Sequence, residues 1–137
     1  MPSSFPTFSL FCMVIDPSLV MRKVLEIELG RSPQYSCLGF ADPLEAMQAI
    51  ALQHVRVPDI ALICWRLLPT FDGIDVLRHL KQAHYHTASV MLLDQDQGRP
   101  LNHLKAKLAG AQRTLVKPFT MEQLRASLAS LKFSPSN

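Results

Sequence analysis

"DIALICWRLLPTFDG", residues 59–73, decides how the chain folds. Ile60 to Ile63 is an unbroken apolar run of strand length, the pattern of a strand buried on both faces of a parallel sheet. Pro69 and Asp72-Gly73 then turn the chain. Ile74, Leu77 and Leu80 follow at helical spacing. The unit is strand, loop, helix. In an open α/β sheet, ligands and chemistry sit at the end of such a strand. Here that end carries Cys64, Trp65 and Arg66.

The same alternation runs outward in both directions. "SLFCMVID" (9–16), "YSCLGFA" (35–41), "SVMLLD" (89–94) and "RTLVKP" (113–118) read as further strands. After Asp16-Pro17, Met21, Val24, Leu25 and Leu29 recur at helical spacing up to Gly30. Asp42-Pro43 is an N-cap followed by Pro at the first helical position, with Leu44, Met47, Ile50 and Ala51 as the expected buried stripe. Leu101, Leu104 and Leu108 mark a helix ending at Gly110, a C-terminal cap. Thr120 caps a last helix carrying Met121, Leu124, Leu128 and Leu131. Five β–α units predict an α/β protein with a doubly wound, flavodoxin-like (βα)5 fold. Its five-stranded parallel sheet has helices on both faces. Asp16, Cys64, Trp65, Asp94 and Lys117 then share the functional edge.

The 137 residues suit one domain, expected over 9–133, with an N-terminal tail (1–8) and a C-terminal tail or linker stub (134–137). With 48% hydrophobic and 18% charged residues, the composition is that of a globular chain rather than a disordered one. No apolar run approaches the roughly 20 residues of a membrane span, and the N-terminus lacks the charged start of a signal peptide. Cys12, Cys37 and Cys64 have no CxxC spacing, so buried thiols in a reducing cytoplasm are expected. Charge is uneven: residues 1–79 hold six Lys+Arg and eight Asp+Glu (−2), residues 80–137 eight and three (+5). A basic half suits an acidic partner, but charges this dispersed make a weak nucleic-acid footprint, and no direct nucleic-acid partner is expected.

Three motifs, "VIDPSLVMRK" (14–23), "PDIALICWRLLPTFDGIDVLRHL" (58–80) and "AGAQRTLVKPF" (109–119), occur in order. Together they resemble the bacterial two-component response-regulator receiver family: its Val-Asp-Asp opening, its central strand with the Leu-Pro-x-x-Asp-Gly loop, and its Ala-Gly-Ala turn with Lys-Pro-Phe. The resemblance covers about residues 10 to 133 and implies phosphorelay signalling. It implies a phospho-acceptor aspartate ending the middle strand, two acids after the first strand holding Mg²⁺, a hydroxyl after the fourth and a lysine after the fifth. It also implies a cis bond before Pro118, and a signalling surface on the fourth helix, fifth strand and fifth helix.

The departures identify a degenerate, pseudo-receiver member. Of the acidic pair only Asp16 remains, since Pro17 takes the second place. Counting back from Pro69 and Asp72-Gly73 puts the acceptor at Trp65; counting forward from Pro58-Asp59 puts it at Cys64, with one residue inserted before Pro69. The hydroxyl position aligns with Leu93 and the family's aromatic switch position with Thr114. A pocket of Asp16 and Lys117, net charge 0, with Arg66 adding +1, is expected to bind Mg²⁺ weakly at most, and no cofactor or catalytic residue is expected. Asp16 and Lys117 are expected to pair. Trp65 either fills the vacated pocket or stands exposed as a partner anchor.

The expected function is a phosphorylation-independent interaction or regulatory module. Its surface would include Arg99, His103, Lys105, Lys107, Arg113 and Arg125, meeting an acidic protein or a second copy; an output domain in a longer chain is a further partner. Alternatives are phosphorylation at a displaced carboxylate (Asp72, Asp94 or Asp96) and small-molecule sensing in the emptied pocket. Turn geometry explains Asp72, and helix-entry capping explains Asp94 and Asp96. Cys64, with Arg66 or Lys117 lowering its pKa, would be a redox thiol, against the plainer reading of a buried inert one. His84 and His86 lack a third metal ligand and read as a solvated loop. His54, His79 and His103 read as surface residues, and Ser18 as a helix start.

Overall fold

The structure, a computed structural model, describes residues 9–133; the two tails read from the sequence lie outside the described residues. Strands β1 (Leu10–Ile15), β2 (Tyr35–Phe40), β3 (Ile60–Cys64), β4 (Ala88–Leu93) and β5 (Arg113–Val116) form one parallel sheet in the order β2-β1-β3-β4-β5. Helices α1 (Leu19–Gly30), α2 (Pro43–Ala51), α3 (Gly73–Gln82), α4 (Pro100–Ala109) and α5 (Met121–Ala129) alternate with them. The doubly wound reading holds.

Alternation along each strand divides the core into two layers. Met13, Ile15, Ile63, Met91 and Leu93 pack under α2, α3 and α4 against Met47, Ile50, Val76, Leu77 and Ala106. Cys12, Val14, Leu62, Val90 and Leu92 face the other way, meeting Leu25 and Leu29 of α1 and Leu124 and Leu128 of α5. All residues of β3 and β4 are buried, as central strands covered on both faces require.

Side-chain caps set the helix starts. Ser18 Oγ accepts from the Met21 amide, and Asp42 Oδ1 from that of Leu44. Asp72 and Asp75 cap α3 reciprocally, as Thr120 and Gln123 do α5. Gly110 ends α4 at φ 121°, where glycine alone is unstrained. The Lys117–Pro118 bond is cis.

Four local expectations need correction. β5 ends at Val116 and α5 at Ala129, although Leu131 beyond it is still buried. Leu44 and Ala51 are exposed, because the buried face of α2 is Pro43, Ala46, Met47, Ala49 and Ile50 and both lie more than about 100° around the helix from its centre. In α4 the inward residue is Ala106, and Leu101, Leu104 and Leu108 are 60%, 51% and 74% exposed. At about 100° per residue they stand on the opposite side from Ala106. The period found the helix; the small residue took the sheet side.

Gly73 holds β3 and α3 together. Its amide donates to the Trp65 carbonyl at 2.8 Å. A Cβ there would lie 2.7 Å from the Cys64 carbonyl oxygen and 2.8 Å from Trp65 Cα, and both are backbone atoms that cannot rotate away. Gly73→Ala is expected to cost about 1–3 kcal/mol, as overpacking does. In urea this appears as a lower midpoint at unchanged slope; wild-type stability would show that the β3–α3 loop yields freely.

Candidate functional site

The carboxyl ends of β1, β3, β4 and β5 converge on one edge, and each contributes a side chain. Asp16, one residue past β1, is fully buried. Its Oδ2 accepts from Lys117 Nζ at 2.7 Å and its Oδ1 from the Ser18 amide at 2.9 Å. Its carbonyl takes the Arg22 guanidinium at 2.7 Å. Lys117 follows β5 with 18% of its side chain exposed, and its Nζ also lies 3.6 Å from Cys64 Sγ and 4.0 Å from Asp94 Oδ1.

Cys64, the last residue of β3, is the side chain that faces this pair. Its thiol donates to the Arg66 carbonyl at 3.5 Å. Trp65 turns the other way, half-buried against the layer under α2–α4, and its amide donates to the Leu92 carbonyl at 3.0 Å. It lines an open groove of about 310 Å³ with Arg66, Leu68, Pro69, Asp72 and Gln97. Trp65 therefore neither fills the space beside Lys117 nor stands free. After the strand the chain turns through an antiparallel bridge between Leu68 and Phe71.

Arg66 reaches across to the loop after β4. Its two terminal nitrogens bind Asp94 and Asp96, each at 3.1 Å. The edge thus holds Asp16, Asp94 and Asp96 with Lys117 and Arg66, net −1 rather than the 0 or +1 expected from the alignment. Asp72 is spent on the α3 cap, and its Oδ1 accepts from the Asp75 amide at 3.1 Å. Leu93 is buried in the core and Pro17 is exposed.

Burial pushes the Cys64 thiol up, and the Asp16 charge adds to this, outweighing Lys117, which pulls it down. The lowering that a redox thiol would need is absent, in keeping with the plainer reading of a buried thiol. For Lys117, burial alone lowers the pKa, but the hydrogen bond to Asp16 and the surrounding negative charge raise it overall.

The basic residues of the second half do not share one face. Lys105 lines a groove between α3 and α4 with Ile74, Arg78 and Lys81. His103, Leu104 and Lys107 border a different one. Arg113 is held by Ser130 at 2.8 Å, and Arg125 pairs with Glu28 of α1. Arg99 precedes α4 and is exposed. His103 is not the free surface residue expected: its Nδ1 and Thr114 Oγ1 are 2.5 Å apart, a bond that pins α4 to β5 and lies between residues too distant in sequence for local patterns to show. His54, His79, His84 and His86 are exposed.

A family model for the response regulator receiver domain matches residues 12–129. The chain belongs to that family. It is 26% identical over 119 residues to the phosphate regulon transcriptional regulatory protein PhoB of Pseudomonas aeruginosa, covering 87% of this chain and 50% of that protein. It is 24% identical over 120 residues to the chemotaxis protein CheY1 of Helicobacter pylori, covering 85% of this chain and 91% of that one. This receiver domain thus spans half the length of PhoB and 33% of the transcriptional regulatory protein TrcR of Mycobacterium tuberculosis. The fold of Vibrio cholerae CheY4 superposes with a TM-score of 0.78 at 24% identity, over 91% of this chain and 100% of that chain. The receiver domain of Francisella response regulator 1452 gives 0.75 at 21%, over 88% and 94%. The domain is a receiver of two-component signalling, and no helix among its described residues is long and apolar enough to cross a membrane.

Removing Lys117 leaves a buried carboxylate without its counter-ion. Lys117→Met is expected to cost about 3 kcal/mol, the scale for breaking a buried pair, read by chemical denaturation. The pH dependence has a definite sign. Lys117 and Cys64 both titrate above their ordinary values of 10.5 and 9.0 in the fold, so their contribution is intact below pH 9.0 and is lost as pH rises through the folded values. Stability should therefore fall on the alkaline side in wild type, and less steeply in Lys117→Met. Equal slopes would place the alkaline loss elsewhere.

Proposed function

We propose that this receiver domain does not take up phosphate on aspartate and works instead as a phosphorylation-independent interaction module. The observation that carries this reading is the Cys64 sulfur, 3.6 Å from Lys117 Nζ, at one of the two positions where the family resemblance puts the acceptor carboxylate; the other, Trp65, is no carboxylate either. A thiol kept protonated by burial offers no carboxylate oxygen to a phosphoryl donor.

The residues present do not fit Mg²⁺ either. A hard dication asks for several oxygen ligands, and sulfur is a poor one. Asp16 is the only carboxylate at the end of β1, and both its oxygens are occupied, one by an ammonium that a cation would have to displace. Arg66 pairs with both Asp94 and Asp96 and offsets one of their two charges. Among the described residues, no group of three or more His, Cys, Asp or Glu side chains is arranged around a common point for a metal.

The binding surface is proposed on α4. Leu101, Leu104 and Leu108 form its outward stripe, with Lys105 on one flank and Lys107 on the other. α4 carries no acidic residue. An apolar stripe edged by cations suits an acidic amphipathic partner, whereas two copies laid face to face would oppose lysine to lysine. Arg125 is turned to Glu28 of α1 and contributes little to this face.

The test is intact-mass spectrometry after incubation with Mg²⁺ and a small acyl-phosphate or phosphoramidate donor. The expected spectrum is that of the untreated chain. A phosphate adduct that is labile to hydroxylamine would overturn the reading and direct the search to Asp94, the carboxylate nearest Lys117 after Asp16.

A further inference from the structure

The sheet register sets two thiols side by side far from this edge. Cys12 of β1 pairs directly with Cys37 of β2. Neighbouring strands lie about 4.8 Å apart, within the roughly 4.4–6.8 Å Cα separation that a disulfide spans. Residues paired across a ladder point to the same face, and both belong to the layer under α1 and α5, where Cys12 is core and Cys37 packs against it. Neither is bonded to another cysteine. Their accessibilities differ: Cys12 is fully buried, while Cys37 is half-buried on the edge strand.

We propose that Cys12 and Cys37 are an oxidation site: a peroxide oxidises Cys37, and Cys12 resolves it into a reversible disulfide that joins β1 to β2. The asymmetry of the pair assigns the roles. The neighbouring Cys12 lowers the pKa of Cys37, and the neighbouring Cys37, with burial, raises that of Cys12 well above its ordinary value. The reachable sulfur is therefore the better nucleophile.

In the first step the Cys37 thiolate attacks one oxygen of hydrogen peroxide. The O–O bond breaks, hydroxide leaves and is protonated to water, and Cys37 becomes a sulfenic acid. The Cys12 sulfur then attacks the Cys37 sulfur. The S–O bond breaks, and the hydroxyl departs as water with the Cys12 proton. Two thiols and one peroxide give one disulfide and two waters, with two electrons passing from sulfur to oxygen. A dithiol reduces the bond by thiol–disulfide exchange and restores both thiols.

This inference rests on the sheet register and is independent of the pocket reading. It is tested on the full chain by peroxide treatment, quenching with N-ethylmaleimide and peptide mass spectrometry. The expected product is a Cys12–Cys37 linked peptide lighter by two hydrogens, lost on adding dithiothreitol and retained in Cys64→Ala. In Cys12→Ala the sulfenic acid should persist on Cys37 and be trapped by dimedone; in Cys37→Ala the buried Cys12 should stay reduced. The proposal is overturned if Cys12 and Cys37 both remain free to alkylate after unfolding while Cys64 is oxidised. It is equally overturned if Cys37 forms only intermolecular disulfides with Cys12 still reduced.

Discussion

A fully buried carboxylate cannot stand alone at the end of a strand, because desolvating an unpaired charge costs several kcal/mol (on the order of 5). Asp16 is such a carboxylate, and the bond to Lys117, 101 residues away in sequence, is what makes its position tenable. The functional edge depends on that contact. It ties the ends of β1 and β5 together across β3 and β4, and brings the lysine over Cys64. The Ser18 amide on the other carboxylate oxygen then fixes the turn into α1. Arg66 adds a second clasp, from the loop after β3 to the loop after β4. Two clasps of opposite charge leave this edge closed by its own side chains.

On the proposed reading, this closure separates the edge from the binding surface. α4 is pinned to β5 by the His103–Thr114 bond and entered through the loop that Arg66 holds. Its leucines face outward. The domain would present one surface continuously rather than switch between two, and the energetic weight of that surface would lie in apolar contact, with the flanking lysines selecting an acidic partner.

Much of this was legible in the sequence, for reasons that can be named. Strands buried on both faces produce unbroken apolar runs, and the three motifs sit at strand ends, so Asp16, Cys64, Asp94 and Lys117 could be placed on one edge. The choice between Cys64 and Trp65 could not be made. Counting from either side gives a different answer, whereas the folded strand shows which side chain meets Lys117: Cys64 does, and Trp65 packs on the other layer. Periodicity located α4 but not its inward side, because a small residue, Ala106, lets the helix sit close to the sheet. The Arg66 clasp, the Arg125–Glu28 pair and the Cys12–Cys37 juxtaposition link distant stretches, and only the folded register brings them together.

On the proposed reading, an internal ammonium, Lys117 Nζ, occupies the place that a metal ion would need. Trp65, the only tryptophan, borders this edge and reports on it. The most direct measurement is Trp65 fluorescence during a Mg²⁺ titration through the millimolar range, with Lys117→Met alongside. The account predicts no saturable change in the wild type, because Lys117 holds Asp16. A saturable wild-type response of the kind a one-site magnesium isotherm fits would contradict it.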